Sequence, residues 1–342
     1  MNKPMVSIVI PSYNASLYIG DLLKGFESQT YNNWEVIVVD DLSSDETVLI
    51  VQEYAQNDCR IKLFIRDRLP KGAQTCRNIG MSKAVGEYIT IIDADDLIET
   101  CFIEQRVKFM LEHPDVDYAT FKGQTVTLEA DGTMNKSKMW GINPHKDILS
   151  CFLQANYPYG VWNNIYKATV AKSLHFDENV KVYQDFDFIV STILNGYKHC
   201  FAEDSTVDYY YRQGHTGRIT SSFISDEKYE STKYLFKKTM QLLNEDKNYN
   251  EYRRCFFKFY LLQYERVLIN GSYEQSNDFR KFINDEFGFP FSIKINLSWK
   301  LLKGSISDKN GKLSKKVFFV VYFLFSPLEL VLWLKNKIHR KE

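Results

Sequence analysis

Through the first third of the chain, short runs of consecutive apolar residues alternate with longer stretches of helical period. Val6–Ile10, Trp34–Asp40, Ile61–Arg66 and Glu87–Asp93 are apolar, mostly β-branched runs that predict strands. Between them, Ser16–Gln29 carries Leu17, Leu22, Leu23 and Phe26 at helical spacing, and Asp45–Asn57 and Gly72–Val85 also predict helices. Leu97–Glu112 is expected to form a fourth helix, closed by Pro114, with Asp96 either its N-cap or part of a site. Strands apolar on both faces and joined by helices imply an α/β fold, a mainly parallel central sheet flanked by helices. From Asp117 the pattern is mixed. Asp117–Leu128 reads as a strand, Glu129–Gly132 as a turn, His145–Ala155 and Tyr183–Leu194 as helices, and Val207–Arg212 as a strand. After Phe223 the alternation stops, and Asp226–Glu245, Tyr249–Asn270 and Glu274–Glu286 predict a helical C-terminal appendage. The expected organisation is a domain over residues 1–223, with halves 1–115 and 116–223, followed by a helical region over 224–342.

The last stretch differs from the rest. Val317–Leu334 is almost wholly apolar but interrupted by Ser326, Pro327 and Glu329, and lysines and Arg340 flank it. Its 18 residues are at the lower limit for crossing roughly 30 Å of hydrocarbon. Basic flanks around an aromatic-rich apolar segment suit attachment to an anionic membrane surface; the alternative is a buried terminal helix or a homo-oligomer interface. Lys+Arg and Asp+Glu both number 43, so nothing suggests nucleic acid as a partner. The six cysteines are scattered without metal-like spacing and the first residues carry no signal-peptide pattern, which together suggest a cytoplasmic protein.

Ile91-Ile92-Asp93-Ala94-Asp95-Asp96 ends an apolar run in three carboxylates within four positions. Like charges that close repel, and a hard divalent cation would relieve them; a solvated turn opening the next helix is the other reading. Ligands gather at the carboxyl edge of parallel strands. The first strand ends in Pro11-Ser12-Tyr13-Asn14 and the second in Asp40-Asp41-Leu42-Ser43-Ser44-Asp45, while Arg77-Asn78 lies on the helix after the third. Acidic edges with one arginine describe a site for a metal and a diphosphate. There is no P-loop and no GxGxxG after the first strand.

These four motifs, Val6–Asn14, Trp34–Asp45, Arg77-Asn78-Ile79-Gly80 and Asp93–Asp96, resemble glycosyltransferase family 2 in order and spacing. The resemblance covers about residues 5–220. It implies a GT-A fold, a nucleotide-sugar donor, usually a UDP-sugar, and Mn²⁺ or Mg²⁺ as cofactor. It also implies that Asp41 accepts a hydrogen bond from the base and that Pro11 and Tyr13 line the base pocket. Asp40 is expected to cap its turn, and Arg77 to sit by the nucleotide or its phosphates. Asp93 and Asp95 form the family's DXD element, with Asp95 on the metal and Asp93 nearer the ribose or donor sugar, though also a candidate ligand.

A second match, Val161–Lys167 with Phe176-Asp177 and Tyr183–Phe188, resembles the family's acceptor half. There a Glu-Asp pair opens a helix and its Asp is the catalytic base. Here the pair is Gln184-Asp185, so Asp185 is the expected base. Losing the neighbouring acid would lower its pKa slightly. Asp187 competes, but residues two apart on a helix leave on different faces. Trp162 is a platform for donor or acceptor, or a core tryptophan. Tyr209–Arg218 resembles the family's flap over the diphosphate, with Arg212 or Arg218 on phosphate and His215 as a further metal ligand. The implied activity is inverting transfer to a hydroxyl of a glycan or lipid-linked saccharide at the inner face of the cell membrane. The alternatives are a non-catalytic nucleotide-sugar-binding subunit and a sugar nucleotidyltransferase.

Overall fold

The structure is a computed structural model. It describes residues 3–129, 132–213, 225–270 and 272–288. His215, Arg218 and the apolar segment 317–334 therefore lie outside the described residues. Two compact units divide between Tyr252 and Arg253.

In the first unit the elements follow one another as β1 (Val6–Ser12), α1 (Ile19–Glu27), β2 (Trp34–Asp40), α2 (Thr47–Asn57), β3 (Ile61–Ile65), α3 (Ala73–Lys83) and β4 (Tyr88–Ile91). Then come β5 (Leu97–Ile98), α4 (Phe102–Glu112), β6 (Tyr118–Thr120), β7 (Gly123–Leu128), β8 (Met134–Trp140) and α5 (Ile148–Leu153). The acceptor side continues with β9 (Asn164–Lys167), α6 (Ala168–Ser173), α7 (Gln184–Leu194), β10 (His199–Phe201), β11 (Tyr209–Gln213) and α8 (Asp226–Leu243).

Seven strands form the main sheet in the order β10-β6-β9-β4-β1-β2-β3. β1 to β4 are mutually parallel as the apolar runs require, and every residue of β1 and β2 is buried. Pro11 fits inside β1 because β4 pairs only as far as Val9, so the side toward which Pro11 would have donated has no strand left to accept. β9 runs antiparallel between β4 and β6, which the sequence pattern did not announce. It is four residues long and opens with Asn164, whose buried side chain accepts from Thr120 at 2.6 Å and donates to Tyr166 at 2.8 Å. A second sheet, β5-β11-β7-β8, caps the carboxyl side.

Three expectations need correction. The helix after Asp96 begins at Phe102, not Leu97. Leu97 and Ile98 instead pair with Tyr210 and Tyr209 of β11, a partner more than a hundred residues away. Asp96 is consequently no N-cap. The strand expected over Asp117–Leu128 is two, because the chain leaves the main sheet after Thr120 and joins the second at Gly123.

α8 belongs to the first unit, beyond the residue at which the alternation stops. Its Lys238 ammonium lies 2.8 Å from Asp187 and 2.9 Å from Asp177, and Ser231 accepts from the Lys181 N–H at 2.7 Å. The second unit holds most of α9 (Tyr249–Asn270) and α10 (Tyr273–Phe287). There Phe256, Tyr260, Phe282 and Phe287 interlock, and Arg253 donates to the carbonyls of Glu286 and Phe287. Among the described residues no helix is long and apolar enough to cross a membrane.

Candidate active site

Three adjacent parallel strands, β2, β1 and β4, deliver their carboxyl ends to one crevice. On β2 the division between Asp40 and Asp41 is clear. Asp40 closes its own turn, accepting from the Ser43 N–H at 2.8 Å and the Ser43 hydroxyl at 2.5 Å. Asp41 is buried and takes a charge-assisted hydrogen bond from Arg66 Nε. Arg66, at the end of β3, was not foreseen as a site residue. The only signal was a lone arginine closing an apolar strand. Between these carboxylates and the helix, Leu42 sits at φ +62°, a left-handed conformation that favours glycine, and is 55% exposed. Asp45 binds the next turn together. Burial works against its charge, but hydrogen bonds from Thr47 and Ser16 hold its carboxyl at about 2. Tyr13 is half exposed at the rim, with the Lys71 ammonium 3.7 Å over its ring.

Arg77 is the centre of the arrangement. It projects from α3, which can lie directly on the sheet because Gly80 has no Cβ, which would otherwise collide with Val9. Its guanidinium is buried, 2.7 Å from Asp93 Oδ1, 3.1 Å from Gln184 Oε1 and 3.5 Å from Asp185 Oδ1. Burial opposes its charge, but Asp93 and Asp185 outweigh this and hold its pKa above the ordinary arginine value. The neighbouring Asn78 grips the loop before α7, donating to the Phe176 carbonyl at 2.9 Å and accepting from its N–H at 2.9 Å. One dipeptide on α3 thus orients both halves.

Asp185 and Asp187 do leave α7 in different directions. Asp187 is buried against Lys238 and takes no part in the Arg77 cluster. Asp185 faces Arg77, with 38% of its side chain open to solvent. Burial raises its pKa; Arg77 lowers it, Asp93 raises it, and a hydrogen bond from the Val161 N–H lowers it. The small downward effect expected from the missing acid is therefore outweighed by the surroundings. Gln184 is built into the site: its amide donates to Gln74 Oε1 at 2.7 Å while its carbonyl oxygen accepts from Arg77. Gln74, completely buried, was invisible in the sequence.

The acidic turn after β4 separates into different roles. Asp96 is fully buried, accepting from the Tyr209 hydroxyl and, at 2.8 Å, from the Arg212 N–H. Burial and the charges of Asp95 and Asp93 raise its pKa well above the usual range. Each of its oxygens thus accepts a hydrogen bond from β11. Asp93 gives one oxygen to Arg77, and Asp95 is partly exposed. Among the described residues no group of three or more His, Cys, Asp or Glu is placed to enclose an ion. Trp162 is 5% exposed and stacks on Tyr209 at 4.6 Å and Tyr211 at 5.4 Å, which puts it within the core. The Arg212 side chain pairs with Asp21 at 3.1 Å and lies over Tyr18.

Residues 7–164 match the model of the family described as Glycosyl transferase family 2. An uncharacterized glycosyltransferase of Haemophilus influenzae is 35% identical over 134 residues, 37% of this chain and 53% of that protein, so the chain spans about half of that relative's length. The putative glycosyltransferase EpsH of Bacillus subtilis is 26% identical over 278 residues, 79% of this chain and 78% of that one. The structure of S. aureus TarS 1–349 in complex with UDP-GlcNAc superposes with a TM-score of 0.66 at 21% identity, covering 92% of this chain and 90% of that one. Residues 7–164 are thus similar to glycosyltransferase family 2, and the likeness to the TarS structure shows the GT-A fold.

Proposed function

We propose that the protein is an inverting transferase that moves a sugar from a nucleoside diphosphate, a UDP-sugar by the likeness to TarS, to a hydroxyl of a glycan or lipid-linked saccharide. The observation that carries this reading is the single guanidinium of Arg77 between Asp93 on the donor side and Asp185 on the acceptor side. Asp41 with Arg66 forms the base end of the site, with Pro11 and Tyr13 beside it. Asp93 and Asp95 offer two carboxylates. That number suits Mg²⁺ or Mn²⁺, which are held by one or two carboxylates while substrate phosphates and water complete the shell. A bound ion would supply charge neutralisation for the leaving diphosphate. Arg77 adds to that neutralisation and orients both carboxylates.

The reaction itself needs a base on the face of the sugar opposite the leaving group. Asp185 fills this role. Its raised pKa brings it nearer neutrality, where a general base is most effective, and its open portion admits an acceptor hydroxyl. It removes the hydroxyl proton as the acceptor oxygen attacks the anomeric carbon and the bond to the diphosphate breaks. The apolar, basic-flanked segment 315–342 supports work at an anionic membrane surface on a cell-surface polysaccharide.

The integration of Gln184 into the Arg77 cluster weighs against a non-catalytic subunit. The test is UDP release from a panel of UDP-sugars with Mn²⁺, with and without acceptor, in the wild type and Asp185→Asn. The variant should lose at least about a hundredfold in turnover while binding UDP within about twofold of the wild type. Normal turnover in the variant would remove Asp185 from the role, and a wild type that releases no UDP would leave only the binding reading.

A further inference from the structure

Tyr209 is completely buried in β11, where it pairs with Ile98 of β5 and Gly123 of β7. Its hydroxyl makes two contacts in the acidic turn. It donates to Asp96 Oδ2, and it accepts from the Asp93 N–H at 3.4 Å. The second oxygen of Asp96 is held by the Arg212 N–H, so the turn is fastened to β11 at three points. The ring of the same tyrosine stacks on Trp162, with planes 11° apart. Trp162 follows Val161 in a short turn, Val161–Asn163, that packs against α7, and the Val161 N–H acts on the Asp185 carboxylate to lower its pKa. The indole has little freedom to shift, since a Cβ at Gly123 would come within 2.7 Å of it and one at Gly160 within 2.6 Å.

We propose that Tyr209 is a positioning residue for the transfer reaction, its hydroxyl setting the turn that carries Asp93 and Asp95, its ring setting the turn Val161–Asn163 that packs against the helix carrying Asp185. This rests on the glycosyltransferase reading of the site. It adds that donor and base geometry are tied through one side chain that touches neither substrate. The two functions are separable, because the hydroxyl points toward β4 and the ring face toward Trp162. A residue that only filled the core would, when shortened, lower stability without favouring one substrate over the other.

Two variants distinguish these. Tyr209→Phe keeps the stack and loses the hydroxyl. It should weaken UDP binding about tenfold by calorimetry with Mg²⁺ and speed hydrogen exchange at the Asp93 amide. Tyr209→Leu also removes the stack and should lower kcat at saturating donor by a further factor of about ten. Tyr31→Phe is the stability control. The Tyr31 hydroxyl donates to the Pro4 carbonyl at 2.6 Å, away from the Arg77 cluster, and its loss should lower the melting temperature without moving UDP affinity. UDP affinity and Asp93 exchange unchanged in Tyr209→Phe would overturn the assignment, even if Tyr209→Leu fails to fold. Failure of the wild type to bind UDP would overturn the donor reading itself, and Tyr209's role with it.

Discussion

Gln184→Glu introduces a second carboxylate beside Asp185, and its effect can be worked out in advance. In the protein as it stands, Gln184 Oε1 and Asp185 Oδ1 meet the same Arg77 nitrogen at 3.1 and 3.5 Å. A glutamate there would put two carboxylates on one N–H group, about 5 Å apart. At an effective dielectric of about 20 the repulsion is about 3 kcal/mol. The Asp185 side chain is 38% exposed, so solvent screening reduces this to about 1 kcal/mol. The added negative charge favours protonated Asp185, and the acid limb of the rate profile should rise by somewhat under one pH unit. The hydrogen bond to Gln74 survives if the Gln74 amide turns to donate. The assay is kcat/KM for UDP-sugar turnover between about pH 5 and 8 at fixed metal, which reports the free enzyme. Gln184→Leu removes the hydrogen bonds without adding charge and should leave the acid limb in place while lowering the rate. An acid limb that stays fixed or moves to lower pH in Gln184→Glu would refute both the assignment of Asp185 as base and the electrostatic account of the cluster.

Two further outcomes follow from side chains around the site. Lys238→Met leaves Asp187 buried without its cation, which should cost about 3 kcal/mol in chemical denaturation while UDP affinity and kcat stay near wild type, since Asp187 does not reach Arg77; a selective loss of kcat would return Asp187 to the reaction. Leu42→Gly relieves a left-handed leucine worth about 1–2 kcal/mol but adds about 0.5–1 kcal/mol of unfolded-chain entropy, so urea melts should show stability unchanged or raised by up to about 1.5 kcal/mol. A clear loss would mean that the half-exposed side chain has a packing role.

What could be read along the chain was whatever depends on near neighbours. The apolar runs of β1 to β4 announced a parallel sheet because such strands must be buried on both faces, and helical spacing placed α1 to α3 and α7 to α10 to within a few residues. The residue types at the strand ends announced acidic chemistry, and the order of motifs pointed to the family. Tertiary structure decided everything set by distant partners. Leu97 and Ile98 look helical locally, yet β11 pairs with them. Asp96 resembles a cap in sequence, but Tyr209 and the Arg212 N–H claim its two oxygens. Trp162 was undecided until the tyrosines of β11 covered it, and Asp41 acquired Arg66 only when β2 and β3 came together. Asp185 and Asp187 are two residues apart with the same carboxylate. Arg77 stands on one side of α7 and Lys238 on the other, and that placement alone makes one a candidate base and the other an anchor. Periodicity records which face of an element is buried, but only the fold determines which charge is waiting there.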